Sequence, residues 1–451
     1  MTGSQQKLYI DRDSARQFLF YKTDSKIPDI KYGIKYDAKF SASQTGLSDK
    51  FPGMLTGKEF IDHALAELNS SLKFGAMVIR IDNIFHNNEE SVKENAPELL
   101  VKVAKIIDAI CKNEKGLWGQ IGHDMLSLFC FEKNDASCME LIHKVQKDIE
   151  ELLNETISIG MAFYPTTNFN KHQILDNALK ALDHAAFFGP NSAVAFDAVS
   201  LNISGDKLYQ KGDINSAINE FKAGLVLDPL NANIHNSLGV CYGVSGSFEK
   251  AKEEFEAAIR LDSNESMALY NSGLANLLMD NKERALELFL EAESIGKNVF
   301  EVEFQLGNLY LELGKPEKSK KHLEKAIDLR PESGAAFRCL GDCNKAINKI
   351  DEAIASYKKA IKLNPNDADS LSTLGYLFDI KDENAEIATI FCRQSVEISP
   401  DNGLFRHRLG RLYFKQNQYE DAIKEFQKAN DLGCDSIEFI DKLNNLPGSS
   451  S

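Results

Sequence analysis

The chain has 451 residues, with 52 basic and 67 acidic side chains and a formal net charge of −15 at pH 7. This negative balance argues against nucleic-acid binding, because that binding needs a cationic surface that neutralises phosphates. No apolar leader is evident, and no stretch approaches the roughly 18 uninterrupted apolar residues of a membrane helix. The eight cysteines lie apart without a CxxC pair. We therefore expect free thiols, no metal site, no membrane insertion and a cytoplasmic location.

Residues 1–48 form a polar N-terminal extension with scattered aromatic side chains. The aromatic residues are Tyr9, Phe18, Phe20, Tyr21, Tyr32 and Tyr36. We expect the extension to add a strand or an arm to the domain that follows it. Its pattern indicates no function.

Residues 49–197 predict a mixed α/β domain, because short apolar runs rich in strand formers alternate with amphipathic helical patterns. The predicted strands cover residues 76–81, 117–121, 126–131, 157–163 and 193–196. The predicted helices cover residues 59–72, 97–111, 138–153 and 173–187. The second and third of these strands flank a Gly-His turn, which predicts a hairpin.

Four segments of this domain resemble the GGDEF domain of bacterial diguanylate cyclases. Residues 49–60 are similar to the family's opening motif, and Arg80-Ile81-Asp82-Asn83 followed by Asn88 is similar to its D-I-D-x-F…N segment. Residues 120–126 (QIGHDML) are similar to the R-x-GGDEF hairpin. The fourth segment comprises Ile157-Ser158-Ile159-Gly160, the run 178–182 and Gly189-Pro190-Asn191. The resemblance implies a GGDEF-like α/β palm domain.

Departures from the family pattern decide what chemistry this domain is expected to perform. The resemblance implies two metal-binding carboxylates, and their places hold Arg80 and Met125. A guanidinium cannot ligate Mg²⁺, and a thioether suits that hard ion poorly. The second hairpin glycine is His123, and the place of a phosphate-binding lysine is Ala186. We therefore expect no cyclase activity and no catalytic residues.

An alternative stays open at this point, in which the domain retains a vestigial nucleotide site. The residues that would form it are Asp82, Asn88, Gly122 and Asp124. Such a site would bind GTP or cyclic di-GMP without turning it over. The competing interpretation is that the two aspartates are solvated residues at strand ends, so no cofactor is expected as the leading hypothesis.

The second half of the chain repeats with a period of 34 residues. The repeating glycines are Gly205, Gly239, Gly273, Gly307, Gly341, Gly375 and Gly410, with one spacing of 35. A small residue follows most of them after twelve positions, and a bulky residue, usually aromatic, follows four positions later. This pattern resembles the tetratricopeptide repeat (TPR). The resemblance implies an all-α superhelical solenoid of seven repeats over residues 198–436, with a capping helix and flexible tail over residues 437–451.

In TPR families the partner usually lies in the concave groove lined by the first helix of each repeat. The residues placed there are Tyr270, Phe304, Asn308, Arg338, Lys345, Tyr376, His407, Arg411 and Lys415. The Lys and Asn pattern that clamps a C-terminal carboxylate in some TPR proteins is not present. The leading hypothesis is therefore a bacterial adaptor that binds protein partners in this groove. The alternatives are a nucleotide sensor that controls the same groove and, less favoured because both metal carboxylates are lost, an active cyclase.

Overall fold

The structure is a computed structural model that describes residue 18 and residues 47–68, 71–82, 90–296 and 298–445. It divides into two compact units, residues 1–279 and residues 280–451. No helix among the described residues has the length and apolar character needed to cross a membrane. All eight cysteines are free thiols, as predicted, and all but Cys434 are buried.

Five strands of the described residues form one mixed sheet in the first unit. They are β1 (Phe74–Ile81), β2 (Leu117–Gln120), β3 (Met125–Phe131), β4 (Ile157–Tyr164) and β5 (Ala193–Ala195). Their order across the sheet is β2-β3-β1-β4-β5. The central strand β1 pairs antiparallel with β3 and β4, while β5 runs parallel to β4. The predicted α/β domain and its hairpin are confirmed.

The helices before and between the strands are longer or shorter than the sequence pattern predicted. They are α1 (Leu47–Lys50), α2 (Gly57–Leu68), α3 (Glu90–Glu114), α4 (Asp135–Leu153) and α5 (Ile174–Ala185). The largest difference is α3, which was expected to begin at Pro97 and instead contains that proline. The periodic apolar side chains that pack on the sheet follow the proline, so they gave no signal for the preceding turns.

Strand β1 is buried on both faces, which explains its nearly continuous apolar sequence. Met77, Ile79 and Ile81 face a core shared with α3 and α4. Ala76 and Val78 face a second core shared with α2 and α5. This alternation is the two-residue period of a strand, and it places helices on both sides of the sheet.

The remaining helices are arranged as the 34-residue period predicts. The first unit continues with α6 (Ala198–Gln210), α7 (Ile214–Leu227), α8 (Ala232–Val244), α9 (Phe248–Leu261) and α10 (Ser266–Leu278). The second unit contains α11 (Lys282–Ile295), α12 (Phe300–Glu312), α13 (Pro316–Leu329), α14 (Gly334–Ala346), α15 (Ile350–Leu363), α16 (Ala368–Ile380), α17 (Ala385–Ile398), α18 (Gly403–Lys415), α19 (Tyr419–Asp431) and α20 (Ile437–Asn444). The last of these begins where the capping helix was predicted.

The repeat glycines allow close approach between the two helices of a repeat. A Cβ built on Gly239 would lie 2.6 Å from the ring of Phe255, and one on Gly307 would lie 2.6 Å from the side chain of Leu323. The same relation holds between Gly410 and Phe426 at 2.9 Å. The bulky residue of each pair is fully buried. The period in the sequence is therefore a packing requirement in which glycine leaves room for one large side chain.

Candidate functional site

The carboxylate of Asp82 is held by the polypeptide itself. Asp82 follows β1, and its Oδ1 accepts a hydrogen bond from the Ser158 hydroxyl at 2.5 Å. Its Oδ2 accepts from the backbone N–H of Asn191 at 2.8 Å. Both oxygens are thus engaged in tying the end of β1 to β4 and to the loop before β5. The contacts give Asp82 a structural role that the sequence did not reveal.

Arg80 and Met125, the two substituted metal-carboxylate positions, face each other in the sheet. They are paired residues in the antiparallel register of β1 and β3. The Met125 side chain also folds over the hairpin, since a Cβ built on Gly122 would lie 2.6 Å from Met125 Cε. The space in which a phosphate could approach the Gly122 backbone therefore contains a methionine methyl group.

Asp124 is the half-buried carboxylate of the same hairpin. Burial raises the pKa of Asp124 above its ordinary value, and its own backbone amide, Arg80 and His123 oppose that rise. Its backbone carbonyl accepts from the N–H of Ile81 at 3.4 Å. Gly122 and Asp124 thus lie together in the β2–β3 turn. Asn88, the fourth predicted member of the nucleotide site, lies outside the described residues.

Tyr270, the groove residue predicted in the first unit, is only 1% exposed. It lies in a run of ten consecutive buried residues of α10, from Ala268 to Leu277. A helix that is buried on every face has neighbours on every face. Tyr270 therefore offers a partner almost no accessible surface in this state of the chain.

Two predicted groove residues of the second unit, Arg338 and Lys345, belong to ion pairs. Arg338 on α14 lies 3.3 Å from Asp367, the residue that caps α16, and 3.8 Å from Asp369. Lys345 lies 2.8 Å from Asp342. These cations hold one repeat to the next or one turn to another, so both have structural partners.

Phe304 and Asn308 are half-buried residues of α12. The Phe304 ring stacks on Phe300 with centroids 5.6 Å apart, and the guanidinium of Arg330 lies 3.8 Å from the Phe300 ring. Phe304 also packs beside the buried residues Leu323 and Cys339. Part of its ring is therefore core, and the rest belongs to a stacked aromatic surface.

The most developed constellation of groove residues lies on α16 and α18. We name it the Tyr376 cluster; its members are Tyr376, Asp379, Arg408, Arg411 and Lys415. The guanidinium carbons of Arg408 and Arg411 lie 5.0 and 5.7 Å from the Tyr376 ring centroid. Arg411 and Lys415 lie 3.0 and 2.7 Å from the Asp379 carboxylate. Three cations thus surround one tyrosine and one buried carboxylate.

Arg408 and Asp379 were missed by the sequence reasoning. Arg408 donates to the Ser372 hydroxyl at 2.9 Å, which anchors it across the two helices, and burial lowers its pKa below the ordinary value. Its signal in the sequence was its position three residues before Arg411, since residues three apart on a helix share a face. Asp379 could have been inferred from Arg411 and Lys415, because two cations one helical turn apart can pair with a single carboxylate on the neighbouring first helix.

His407 packs against the capping helix. Its Nδ1 lies 2.7 Å from the Ser436 hydroxyl, and its ring makes edge contacts with Phe426 and Phe439. Burial lowers the pKa of His407 below its ordinary value, and Arg411 and Arg408 lower it further, which favours the neutral form of the ring. Through these contacts, His407 packs the last repeat against the capping helix.

One group of acidic and histidine side chains among the described residues has the geometry of a cation site. Its members Glu293, Glu303 and His322 have potential ligand atoms within 4.8 Å of one another. The Lys325 ammonium, however, lies 2.6 Å from Glu293 and 3.1 Å from Glu303. His322 also lies 2.7 Å from Glu303. The lysine supplies the positive charge, so the group is explained as an ion-pair network.

Comparison with known families identifies the repeats. Models described as TPR repeat or tetratricopeptide repeat match residues 205–243, 242–298, 303–333, 341–378 and 391–424. The helical half of the chain therefore contains TPR repeats, as the 34-residue period predicted.

The curated relatives and solved structures are remote. The chain is 22% identical to BBSome complex member BBS4 of Bos taurus, 23% to the CTR9 homolog of Arabidopsis thaliana and 25% to Hsp70-Hsp90 organizing protein 1 of Glycine max. The alignments cover 66%, 60% and 53% of this chain and 55%, 26% and 42% of those proteins. The chain thus spans between about a quarter and about half of the length of these relatives. A solved structure of Pseudomonas aeruginosa PilF matches with a TM-score of 0.43 at 21% identity, covering 46% of this chain and 95% of that one.

Proposed function

We propose that this protein is a non-catalytic adaptor that binds protein partners through the groove of its TPR repeats. The Tyr376 cluster carries the proposal. Tyrosine and arginine are the residue types that contribute most to binding energy at protein interfaces. The names of the relatives point the same way, since they describe a complex member and an organizing protein.

The charge of the Tyr376 cluster favours an acidic partner segment. Arg408, Arg411 and Lys415 contribute three positive charges, and Asp379 is 4% exposed and so largely hidden from an incoming chain. Arg411 is half-buried and Lys415 is exposed, so a partner can reach both side chains. A carboxylate on the partner would meet the cations, and an apolar or aromatic group could stack beside Tyr376.

A matched pair of variants tests this assignment. Asp379→Asn, Arg411→Gln and Lys415→Gln together remove two cations and one carboxylate without leaving the buried acid unpaired. Asp421→Asn, Lys424→Gln and Lys428→Gln make the same net change on α19, where these side chains are exposed.

Both variants must first match the wild type in helical circular dichroism. A pull-down with immobilised chain from the native host should then lose its acidic partners with the first variant and keep them with the second. If the folded first variant keeps every partner, the groove assignment fails. If a Gly122→Trp, Asp124→Ala hairpin variant loses the partners instead, the functional surface is the hairpin of the sheet domain.

We further propose that the sheet domain is a degenerate GGDEF-like domain with a structural or regulatory role. The resemblance is supported by the hairpin of β2 and β3 beside a central β1 that is flanked by antiparallel strands. Loss of catalysis is supported by the pairing of Arg80 with Met125, which puts a cation and a thioether where a metal site would need two carboxylates.

Retention of a nucleotide is the less favoured role. The Met125 methyl group lies over Gly122, and both oxygens of Asp82 already accept hydrogen bonds. Calorimetry of the full chain with GTP, GDP and cyclic di-GMP, with and without Mg²⁺, measures the point directly. Saturable heat that disappears in Asp124→Ala would put the sensor function ahead of the adaptor function.

A further inference from the structure

A phenylalanine from the N-terminal extension is inserted between the two helices of the second repeat. Phe18 is 4% exposed, and its ring stacks on Phe255 of α9 with centroids 5.8 Å apart and planes 24° apart. A Cβ built on Gly243 of α8 would lie 2.6 Å from the Phe18 ring. We name Gly243 and Phe255 the Phe18 pocket.

The second repeat differs from the other six at the residue that makes room for this ring. Gly243 lies four positions after the repeat glycine Gly239. The corresponding residues of the other repeats are all larger: Tyr209, Leu277, Leu311, Lys345, Asp379 and Phe414. A side chain at this position would fill the space that Phe18 takes. The small residue Gly243 thus leaves a space in the second repeat, and Phe18, which is distant in the sequence, fills that space.

Elsewhere, the first helices of neighbouring repeats cover one another. Asn236 of α8 and Asn271 of α10 share a hydrogen bond of 2.9 Å, and both side chains are almost fully buried. In the second unit, by contrast, α16 is covered by its neighbour's long cations, because Arg408 reaches Ser372 and Lys415 reaches Asp379. First helices are therefore covered in two ways, by neighbouring repeats and by Phe18.

We propose that the Phe18 pocket is a docking site for an aromatic side chain of an extended peptide, and that the side chain of Phe18 occupies it in cis. The inference rests on the proposed adaptor function, to which it adds a regulated second binding surface. A partner peptide with a suitable phenylalanine must displace Phe18 before it binds. Phe18 therefore reduces the apparent affinity of such a partner in proportion to the fraction of chains in which the pocket is open.

Binding of a labelled peptide in trans tests the proposal without any knowledge of the partner. The probe is a fluorescein-labelled peptide of residues 12–24 (RDSARQFLFYKTD), and fluorescence anisotropy measures its affinity for the full chain. Phe18→Ala in the full chain should open the pocket and tighten peptide binding at least about tenfold relative to wild type. Equal affinity for the two chains, or no binding to the variant, overturns the proposal.

Three controls assign the effect to the pocket. A peptide carrying Phe18→Ala should not bind either chain. Phe20→Ala in the full chain removes a second phenylalanine of the same segment and should leave the affinity at the wild-type level. Gly243→Leu, added to the Phe18→Ala chain, should fill the pocket and abolish binding; if it prevents folding, Gly243→Ala provides a smaller filler.

A Phe20→Ala chain that opens as far as Phe18→Ala, or a folded filler variant that still binds the peptide tightly, refutes the assignment. These results do not depend on the Tyr376 cluster. The proposed groove function and the Phe18 pocket can therefore fail separately.

Discussion

Gly160→Ala should unfold the sheet domain more easily, because β4 and α5 touch through their backbones at this glycine. A Cβ built on Gly160 would lie 2.1 Å from the carbonyl oxygen of Ala178 and 2.1 Å from the backbone nitrogen of Leu182. An ordinary contact is about 3.4 Å, so α5 would have to retreat by about 1.3 Å. Neither backbone atom can rotate away, in contrast to the end of a flexible side chain.

The expected loss of stability follows from two opposing terms. Overpacking typically costs about 1–3 kcal/mol, and a clash with helix backbone belongs at the upper end of that range. Replacing glycine by alanine in a strand recovers about 0.5–1 kcal/mol of backbone entropy. We therefore expect a net loss of about 2 kcal/mol, which at a urea slope of about 2 kcal/mol per molar lowers the unfolding midpoint by about 1 M.

Tryptophan fluorescence is the appropriate measurement, since Trp118 is the chain's single tryptophan and lies in β2. Its indole N–H donates to Asp108 at 3.1 Å, so its emission reports on the sheet domain. Gly75→Ala is the matched control, because there a Cβ would lie 2.9 Å from the side-chain sulfur of Cys138 and not from backbone atoms. A Gly160→Ala midpoint that equals that of wild type or of the control would refute the backbone contact.

Three further outcomes are expected. The purified chain should make no cyclic di-GMP from GTP and Mg²⁺ in a chromatographic assay. Steady product formation that Asp124→Ala abolishes would contradict the prediction that Arg80 and Met125 prevent catalysis. Gly307→Leu should destabilise the second unit by about 1–3 kcal/mol in thermal melts followed by helical circular dichroism, and a melt like that of the wild type would reject the repeat packing. Asp206→Asn should stabilise the chain increasingly as pH rises above about 4. Burial raises the pKa of Asp206 well above its ordinary value, so above about pH 4 the unfolded chain releases a proton that the folded chain keeps, and wild-type stability falls as pH rises. A gain that is constant with pH would disprove this.

The helical repeats were predictable because their sequence rule is local. Glycine and the bulky residue that covers it lie sixteen residues apart along the chain, as in Gly239 and Phe255, and the relation recurs every 34 residues. The strands were predictable for a similar reason, since β1 and β4 are nearly continuous apolar runs. The start of α3 was not, because its first turns precede the periodic apolar residues.

The side-chain contacts of the groove residues could not be predicted from the sequence. Arg338 was predicted as a groove cation, and its contact with Asp367 depends on how one repeat stacks on the next. Phe18 was one of several aromatic residues in a polar extension, and nothing local connects it with Gly243. The sequence did contain one signal, because Gly243 is the only glycine among the seven equivalent repeat positions.

The strength of the Phe18 contact determines whether it can act as a regulator. Burying a phenylalanine side chain contributes about 1.5–3 kcal/mol relative to leaving it in water. At about 2 kcal/mol the pocket would be open in about 3% of chains, which lies within the range of minor states that a ligand can select. A partner that binds the open pocket would then see its affinity reduced about 30-fold. A contact much weaker than this would leave the pocket open to any aromatic peptide, and a much stronger one would keep it closed to all of them.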